Sequence, residues 1–152
     1  MVFFKKIDKD IIYRTLEDLK DYRIGVERDF AYPRDFYNAP GLQRIEANSA
    51  EANIYHLLQG NLDLIIIDKL YAQYILRKMS ADVRNRLEPL DLFPGKNKES
   101  ACQDIYLVIS RESKNGPQVI IDFNYGLKQI KDDGTFERIL RKHGIYDEIC
   151  KK

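Results

Sequence analysis

The sequence predicts an α/β fold with a central, mostly parallel sheet and a helical tail at its carboxyl end. Apolar segments typical of strands alternate with amphipathic segments typical of helices. The run Leu62–Ile67 is apolar at nearly every position, as in a strand that is covered on both faces. The chain has 152 residues, of which 44% are hydrophobic and 32% charged, which is enough for one ordinary globular domain with its own core.

The stretch from Asn48 to Asp68 contains a complete unit of helix, turn and strand. Asn48 or Ser49 can cap the helix, and Gly60 ends it. The strand Leu62–Ile67 follows, and Asp68 comes directly after it. Ligands of open α/β sheets bind beyond the carboxyl ends of the strands, which makes Asp68 a candidate ligand contact. Capping of the next helix is the structural alternative for Asp68.

The segments before this unit are predicted to be short strands and helices. Thr15 and Asp18 stand three residues apart, which predicts a short capped helix. Pro33 and the Pro40-Gly41 pair bracket a second short helix. The predicted strands of this region are Val2–Lys5, Tyr22–Val26 and Leu42–Ala47.

The segments after the unit continue the alternation. Lys69–Met79 has the pattern of an amphipathic helix, and Ser80–Leu87 that of a short polar helical turn. Leu90–Ser100 is predicted to be a loop, and Asp104–Ser110 a further strand.

Two helices form the predicted tail. Pro117 suits the first turn of the long helix, and Gly134 separates it from the last helix, which Thr135 would cap. Four apolar residues share one face of the long helix. They are Ile120, Phe123, Leu127 and Ile130.

Several kinds of function have no support in the sequence. A net charge of +1 does not favour nucleic-acid binding. Cys102 and Cys150 have neither a metal-ligand nor a redox spacing, and His56 and His143 stand alone on predicted helices. Motifs for nucleophilic, metal or nucleotide chemistry are absent. We therefore expect no catalytic residue, no metal site, no cofactor and no nucleic-acid partner, and an independent α/β enzyme is the least favoured function.

Four stretches of the chain carry a resemblance to a known family. They are LEDLKDYRIGV (Leu16–Val26), LLQGNLDLIIID (Leu57–Asp68), DIYLVISRES (Asp104–Ser113) and FNYGLKQIKDDGTFERILRKHG (Phe123–Gly144). In this order they resemble the second half of the bacterial extracellular solute-binding proteins of family 3, which serve polar amino-acid ABC transporters. The last stretch is the most specific, because the family ends in an Asn-containing helix, an Asp-Gly break and a helix that closes with a basic residue and glycine.

The resemblance implies a three-layer lobe of the periplasmic-binding-protein type II. Residues 1–110 would form the second lobe of a two-lobed clamp, and residues 111–152 would form helices that pack on the missing first lobe. The implied function is to bind a small polar solute, such as an amino acid, in the periplasm and deliver it to an ABC permease. The alternative is the same fold as the sensor domain of a signalling receptor or fused to an enzyme.

The resemblance also implies site residues. Asp68 falls on the family's position for the carboxylate that pairs with the α-ammonium of the ligand, five residues after Asp63. Much of the family has a Gly-Thr pair that holds the ligand carboxylate, where this chain has Asp29 and Phe30. Since Asp29 would repel a carboxylate, Asp29, Phe30 and Tyr32 indicate a divergent site. The expected ligand-binding residues are Asp68, Phe30, Asp29 and Tyr32.

The tail raises a question of partners, because in the family its apolar face packs largely on the first lobe. An exposed apolar stripe of this size favours association. We therefore expect the tail to dock on a second copy of the chain, forming a homodimer, or to fold back on its own sheet.

Overall fold

The structure is a computed structural model that describes residues 1–94 and 106–146. It divides into two compact units, Met1–Ala101 and Cys102–Lys152. Cys102 and Cys150 lie outside the described residues, as do most of the predicted loop that ends at Ser100 and the first two residues of the predicted strand at Asp104.

Five strands form the sheet of the first unit in its described part. They are β1 (Val2–Lys6), β2 (Arg23–Glu27), β3 (Gln43–Ala47), β4 (Leu64–Ile67) and β5 (Leu87–Asp91). Their order in the sheet is β3-β2-β4-β1-β5. β2 pairs in parallel with β3 and β4, whereas β1 is antiparallel to β4 and β5. The predicted α/β fold is confirmed, and its sheet is mixed, with parallel strands on one side and antiparallel strands on the other.

Helices connect these strands and also make up most of the described part of the second unit. In the first unit they are a 3₁₀ helix (Leu16–Leu19), α1 (Arg34–Asn38), α2 (Ala50–Leu58), α3 (Lys69–Lys78) and α4 (Ala81–Asn85). In the second unit they are α5 (Gly116–Asp132) and α6 (Thr135–Lys142). Ser49 is the residue that caps α2, since its Oγ accepts a hydrogen bond of 3.1 Å from the N–H of Ala52. Along the described residues, every helix is too short or too polar to cross a membrane.

The strand β4 is buried on both faces, because successive side chains of a strand point to opposite sides of the sheet. Ile65 and Ile67 belong to the core that α2 and α3 cover. Leu64 and Ile66 belong to the core on the other face, together with Phe36 of α1. The predicted strand with two covered faces is therefore confirmed.

Gly25 allows α2 to lie close against the middle of β2. A Cβ atom at this position would lie 2.5 Å from Cδ1 of Leu62 and 2.7 Å from Oδ1 of Asn53. Both distances are shorter than van der Waals contact, so any side chain here would push α2 away. Asn53 is 2% exposed, and its Oδ1 accepts no hydrogen bond from the described residues.

Two predictions of secondary structure are wrong. The loop predicted from Leu90 overlaps β5, which pairs with β1 along its whole length. β5 contains Pro89, which is tolerated because β5 is the last strand of the described sheet and need not donate a hydrogen bond on its outer side. The strand predicted for Asp104–Ser110 does not form in its described part, residues 106–110, where Val108 is 82% exposed. An apolar sequence forms a strand only where a sheet edge accepts it.

The two predicted tail helices are confirmed. Gly134 has a φ of 77°, a left-handed conformation that ends α5. Thr135 is the first residue of α6 rather than its cap, and its N–H donates to Oδ1 of Asp133 at 2.8 Å. On the predicted apolar face of α5, Ile120 is 38% and Phe123 44% exposed.

Candidate functional site

The carboxyl ends of the three parallel strands meet at one edge of the sheet. The last residues of β2 and β3, Glu27 and Ala47, are paired. The pair Gly25 and Ile65 joins β2 to β4, so continuing this register by two residues places Glu27 beside Ile67, the end of β4. The helices α2 and α3 begin at the same edge, directly after β3 and β4. In open α/β sheets this is the edge at which ligands bind.

All four predicted ligand-binding residues lie at this edge. Asp68 directly follows β4, whereas Asp29, Phe30 and Tyr32 lie in the segment that follows β2. They approach the edge from different elements, because β2 and β4 are neighbours in the sheet although more than thirty residues separate them in the chain.

Asp68 caps α3. It is half-buried, and its Oδ1 accepts a hydrogen bond of 3.0 Å from the N–H of Tyr71. The structural alternative raised by the sequence is therefore observed. Within the described residues, Oδ2 of Asp68 accepts no hydrogen bond and the carboxylate has no Lys or Arg partner. One of the two carboxylate oxygens of Asp68 thus serves to cap α3.

Phe30 and Tyr32 belong to a row of aromatic side chains. Tyr32 packs against the core that contains Phe36, on the face of the sheet opposite α2 and α3. The ring centroid of Tyr32 lies 5.3 Å from that of Phe30 and 5.5 Å from that of Phe36. The hydroxyl of Tyr32 accepts a hydrogen bond of 2.6 Å from the backbone N–H of Glu27. Burial raises the pKa of Tyr32 above the ordinary tyrosine value. Phe30 is 39% exposed and so presents part of its ring to solvent.

Asp29 is exposed and has a φ of 60°, in the left-handed region that aspartate tolerates better than most residues. This backbone conformation turns the chain sharply between β2 and Phe30. Its neighbour Arg28 is turned to β3, where its Nε lies 3.5 Å from Oε2 of Glu46. The segment thus carries an aspartate close to an arginine that is already paired.

Glu27, Glu51 and Tyr71 form a group that the sequence did not reveal. The pKa of Glu27 is raised by burial and then by the negative charge of Glu51 on α2. The pKa of Tyr71 on α3 is raised by burial and then by the charges of Glu51 and Glu27. Each residue belongs to a different element, so their positions in the sequence contain no signal for the group. Glu27 and Glu51 thus add two carboxylates to Asp29 and Asp68 at this edge, whereas Tyr71, whose raised pKa keeps it neutral, adds a hydroxyl group.

In the part of the chain that the structure describes, no group of three His, Cys, Asp or Glu side chains is arranged to hold a metal ion. His56 and His143 are both exposed.

The structure is similar to solved amino-acid-binding proteins. It aligns with an ancestral arginine-binding protein bound to arginine with a TM-score of 0.67 and 19% identity, over 93% of this chain and 58% of that one. An ancestral arginine-binding protein bound to glutamine gives 0.66 and 20%, over 93% and 57%. The substrate-binding protein of an amino acid ABC transporter gives 0.63 and 17%, over 93% and 57%.

No family model and no curated protein matches this sequence. The chain spans a little more than half the length of the three structures above. At identities of 20% or less, the similarity establishes a shared fold. The α/β lobe with a helical carboxyl-terminal part is thus the fold of these solute-binding proteins.

Proposed function

We propose that this chain is the ligand-binding lobe of a periplasmic solute-binding protein of an ABC transporter. Its ligand is a small polar solute, either an amino acid or a related compound. The observation that carries the proposal is the fold similarity to amino-acid-binding proteins over 93% of the chain. The position of Asp68, Asp29 and Phe30 at the ligand-binding edge of the sheet supports it.

In this proposal Asp68 binds an ammonium group of the solute. One oxygen of its carboxylate caps α3, and the other accepts no hydrogen bond from the described residues. A ligand ammonium can therefore share the carboxylate without unwinding the first turn of α3. Phe30 contributes ring surface, and Asp29 disfavours a ligand carboxylate in its vicinity.

Residues 1–110 act as the lobe, and residues 111–152 as the helices that contact the rest of a two-lobed clamp. A clamp of this kind closes on its solute by a hinge and presents the closed form to the permease. An ABC permease is then the protein partner of the full-length protein.

The substitution Asp68→Asn tests the role of Asp68. Asparagine has nearly the same size and caps helices as well as aspartate, so α3 keeps its cap while the charge is lost. We expect arginine binding to weaken by about 1.5–3 kcal/mol, the range for a charge-assisted hydrogen bond. The measurement is an NMR titration of this chain with arginine, and then with glutamine, that follows the amide shifts at residues 27–32 and 68–71.

Asp122→Asn is the matched control, since Asp122 is an exposed aspartate of α5 that bonds only to Gln118 among the described residues. It should leave the titration unchanged. Equal affinity of wild type and Asp68→Asn would return Asp68 to the capping role alone. Amide shifts at residues 27–32 and 68–71 that respond to neither solute, even at solute concentrations far above the millimolar range, would contradict the proposed function.

We further propose that the apolar face of α5 is covered by a partner, which is a second copy when this chain is alone. Phe123 is 44% exposed on this face. Sedimentation equilibrium should show self-association of the wild type, and Phe123→Asp should shift it to monomer. Asn124→Asp adds the same charge at an adjacent exposed position and should leave the mass unchanged. A wild type that stays monomeric at high concentration would exclude the homodimer.

A further inference from the structure

The ring of Phe30 rests on a row of side chains that is anchored in the core. Tyr32 lies between Phe30 and Phe36, and Phe36 is fully buried. The guanidinium carbon of Arg44 lies 5.1 Å from the centroid of the Phe36 ring. Nη2 of Arg44 also donates to the carbonyl oxygens of Phe36 and Ala39, at 2.5 and 2.8 Å. These bonds fix the end of α1 and so the base of the row.

Both the ring and the hydroxyl group of Tyr32 have partners within this structure. Its ring contacts Phe30 on one side and Phe36 on the other. Its hydroxyl accepts from the N–H of Glu27 at 2.6 Å and lies 3.5 Å from the carbonyl oxygen of the same residue. The hydrogen bond joins the end of β2 to a residue five positions later and closes the segment into a loop. Tyr32 is half-buried, and its ring and hydroxyl group make contacts within the loop and the core. It is therefore a structural part of the loop, and we do not expect it to contact a solute directly.

We propose that Tyr32 is a positioning residue, which holds the ring of Phe30 in place at the carboxyl edge of the sheet before a solute arrives. Phe30, 39% exposed, is then the side chain that contacts the solute. This inference rests on the proposed function and reassigns one of the four predicted ligand contacts. A ring that is already immobilised loses less conformational entropy on binding, which strengthens binding without any new contact. Beside Asp29, it suits a flat cationic group such as a guanidinium.

The chain has no tryptophan, so Phe30→Trp places a single reporter on the loop. In this background Tyr32→Phe removes the hydroxyl but keeps the ring contacts, and Tyr32→Leu removes both. The measurements are the fluorescence anisotropy of Trp at position 30, its quenching by acrylamide, the affinity for arginine by NMR titration and the melting temperature. The matched control is Tyr37→Phe, because Tyr37 lies on α1 but is 72% exposed.

We expect Tyr32→Phe to lower the anisotropy, to increase acrylamide quenching and to weaken arginine binding by about fivefold, as the loss of one hydrogen bond implies. Tyr32→Leu should have a larger effect on all three, so that phenylalanine partly rescues it. Tyr37→Phe should change none of them. A Tyr32 with only a structural role would lower the melting temperature and leave anisotropy and arginine affinity unchanged, which would overturn the proposal.

The two proposals fail differently. If arginine and glutamine do not bind even with Tyr32 in place, while Tyr32→Phe still loosens the reporter, Tyr32 positions the loop as inferred and the proposed function is contradicted. If arginine binds equally well to all Tyr32 variants, the function stands and the positioning role is wrong.

Discussion

Two carboxylates at opposite ends of β2 have pKa values that are shifted in opposite directions. Hydrogen bonds from the side chain of Arg23 lower the pKa of Asp63, at the edge where β2 begins. Burial and the charge of Glu51 raise the pKa of Glu27, at the edge where β2 ends. The charge of Asp63 therefore stabilises the fold at neutral pH, whereas the charge of Glu27 costs stability. Perturbed carboxylates of this kind occur both at ligand sites and in the structural interior, so the shift of Glu27 is compatible with the proposed function.

Arg23 and Asp63 form the most extensive ion pair of the first unit's described part. Nε and the backbone N–H of Arg23 both donate to Oδ2 of Asp63 at 2.9 Å, and Nη2 donates to Oδ1 at 3.0 Å. Nη2 also donates to the carbonyl oxygen of Gly60 at 2.8 Å. The pair thus ties the start of β2 to the turn between α2 and β4.

Removing this charge should lower stability in a pH-dependent way. We expect Asp63→Asn to reduce the free energy of unfolding by about 1–2 kcal/mol at pH 7, less than for a fully buried pair because both side chains are partly exposed. Since the folded-state pKa of Asp63 lies below its unfolded value, the wild type loses this advantage as pH falls below about 4. Urea unfolding at pH 7 and pH 3 measures the difference, which should shrink at pH 3.

The control is Glu46→Gln, which removes a carboxylate whose only described ion pair, with Arg28, is exposed on both sides. Its effect at pH 7 should be within about 0.5 kcal/mol. An Asp63→Asn effect of the same size at both pH values would show that packing, not charge, makes the contribution.

At the scale of elements, the contact between α2 and β2 depends on the absence of a side chain at Gly25. This contact also places the first turn of α2, which contains Glu51, at the candidate ligand edge. The helix can approach because nothing but hydrogen atoms lies between Gly25 and Asn53. The lack of a side chain at Gly25 thus determines how closely α2 packs against β2.

A pair of glycine substitutions tests this packing. Gly25→Ala should destabilise the first unit by about 1–3 kcal/mol, because the new methyl group overlaps Leu62 and Asn53. Gly126→Ala lies inside α5 and has no atom within 4 Å of the added Cβ, so it should stabilise its helix by about 0.5–1 kcal/mol. Thermal unfolding followed by circular dichroism measures both. Equal and small effects of the two substitutions would show that α2 can move away from β2 at little cost.

At the scale of the whole molecule, the chain spans 57–58% of the length of its amino-acid-binding neighbours. If the site is shared with a second lobe, as proposed, this chain supplies only part of the contacts to the solute. Each lost contact of about 1.4 kcal/mol weakens the affinity tenfold.

We therefore expect this chain alone to bind arginine with a Kd of about 1 mM or weaker, which corresponds to about 4 kcal/mol or less of binding free energy. Isothermal titration calorimetry at high protein concentration makes the measurement, and the Asp68→Asn variant provides the reference for specific binding. A micromolar Kd would mean that the site is complete within this chain and that the two-lobe proposal is wrong.

The sequence by itself determined what depends on neighbouring residues. The alternation of strands and helices, the buried run of β4, the turn at Gly60 and the helix break at Gly134 all follow from patterns a few residues long. The position of Asp68 at a strand end was predictable for the same reason, and so were both of its interpretations. Local patterns specify which side chains need burial and where the backbone turns.

The tertiary structure decided what depends on partners distant in the chain. Pro89 lies in a strand because β1, more than eighty residues earlier, pairs with β5. Residues 106–110 are more apolar than β5, but they form no strand. The pairing of β2 with β4 brought Glu27 towards Glu51 and Tyr71, and the return of the loop onto β2 engaged the hydroxyl of Tyr32. A hydrophobic pattern shows that a segment must be buried, but it does not specify the strand or helix against which it packs. Many pairings of strands would bury a similar apolar area, and only the assembled fold selects one of them.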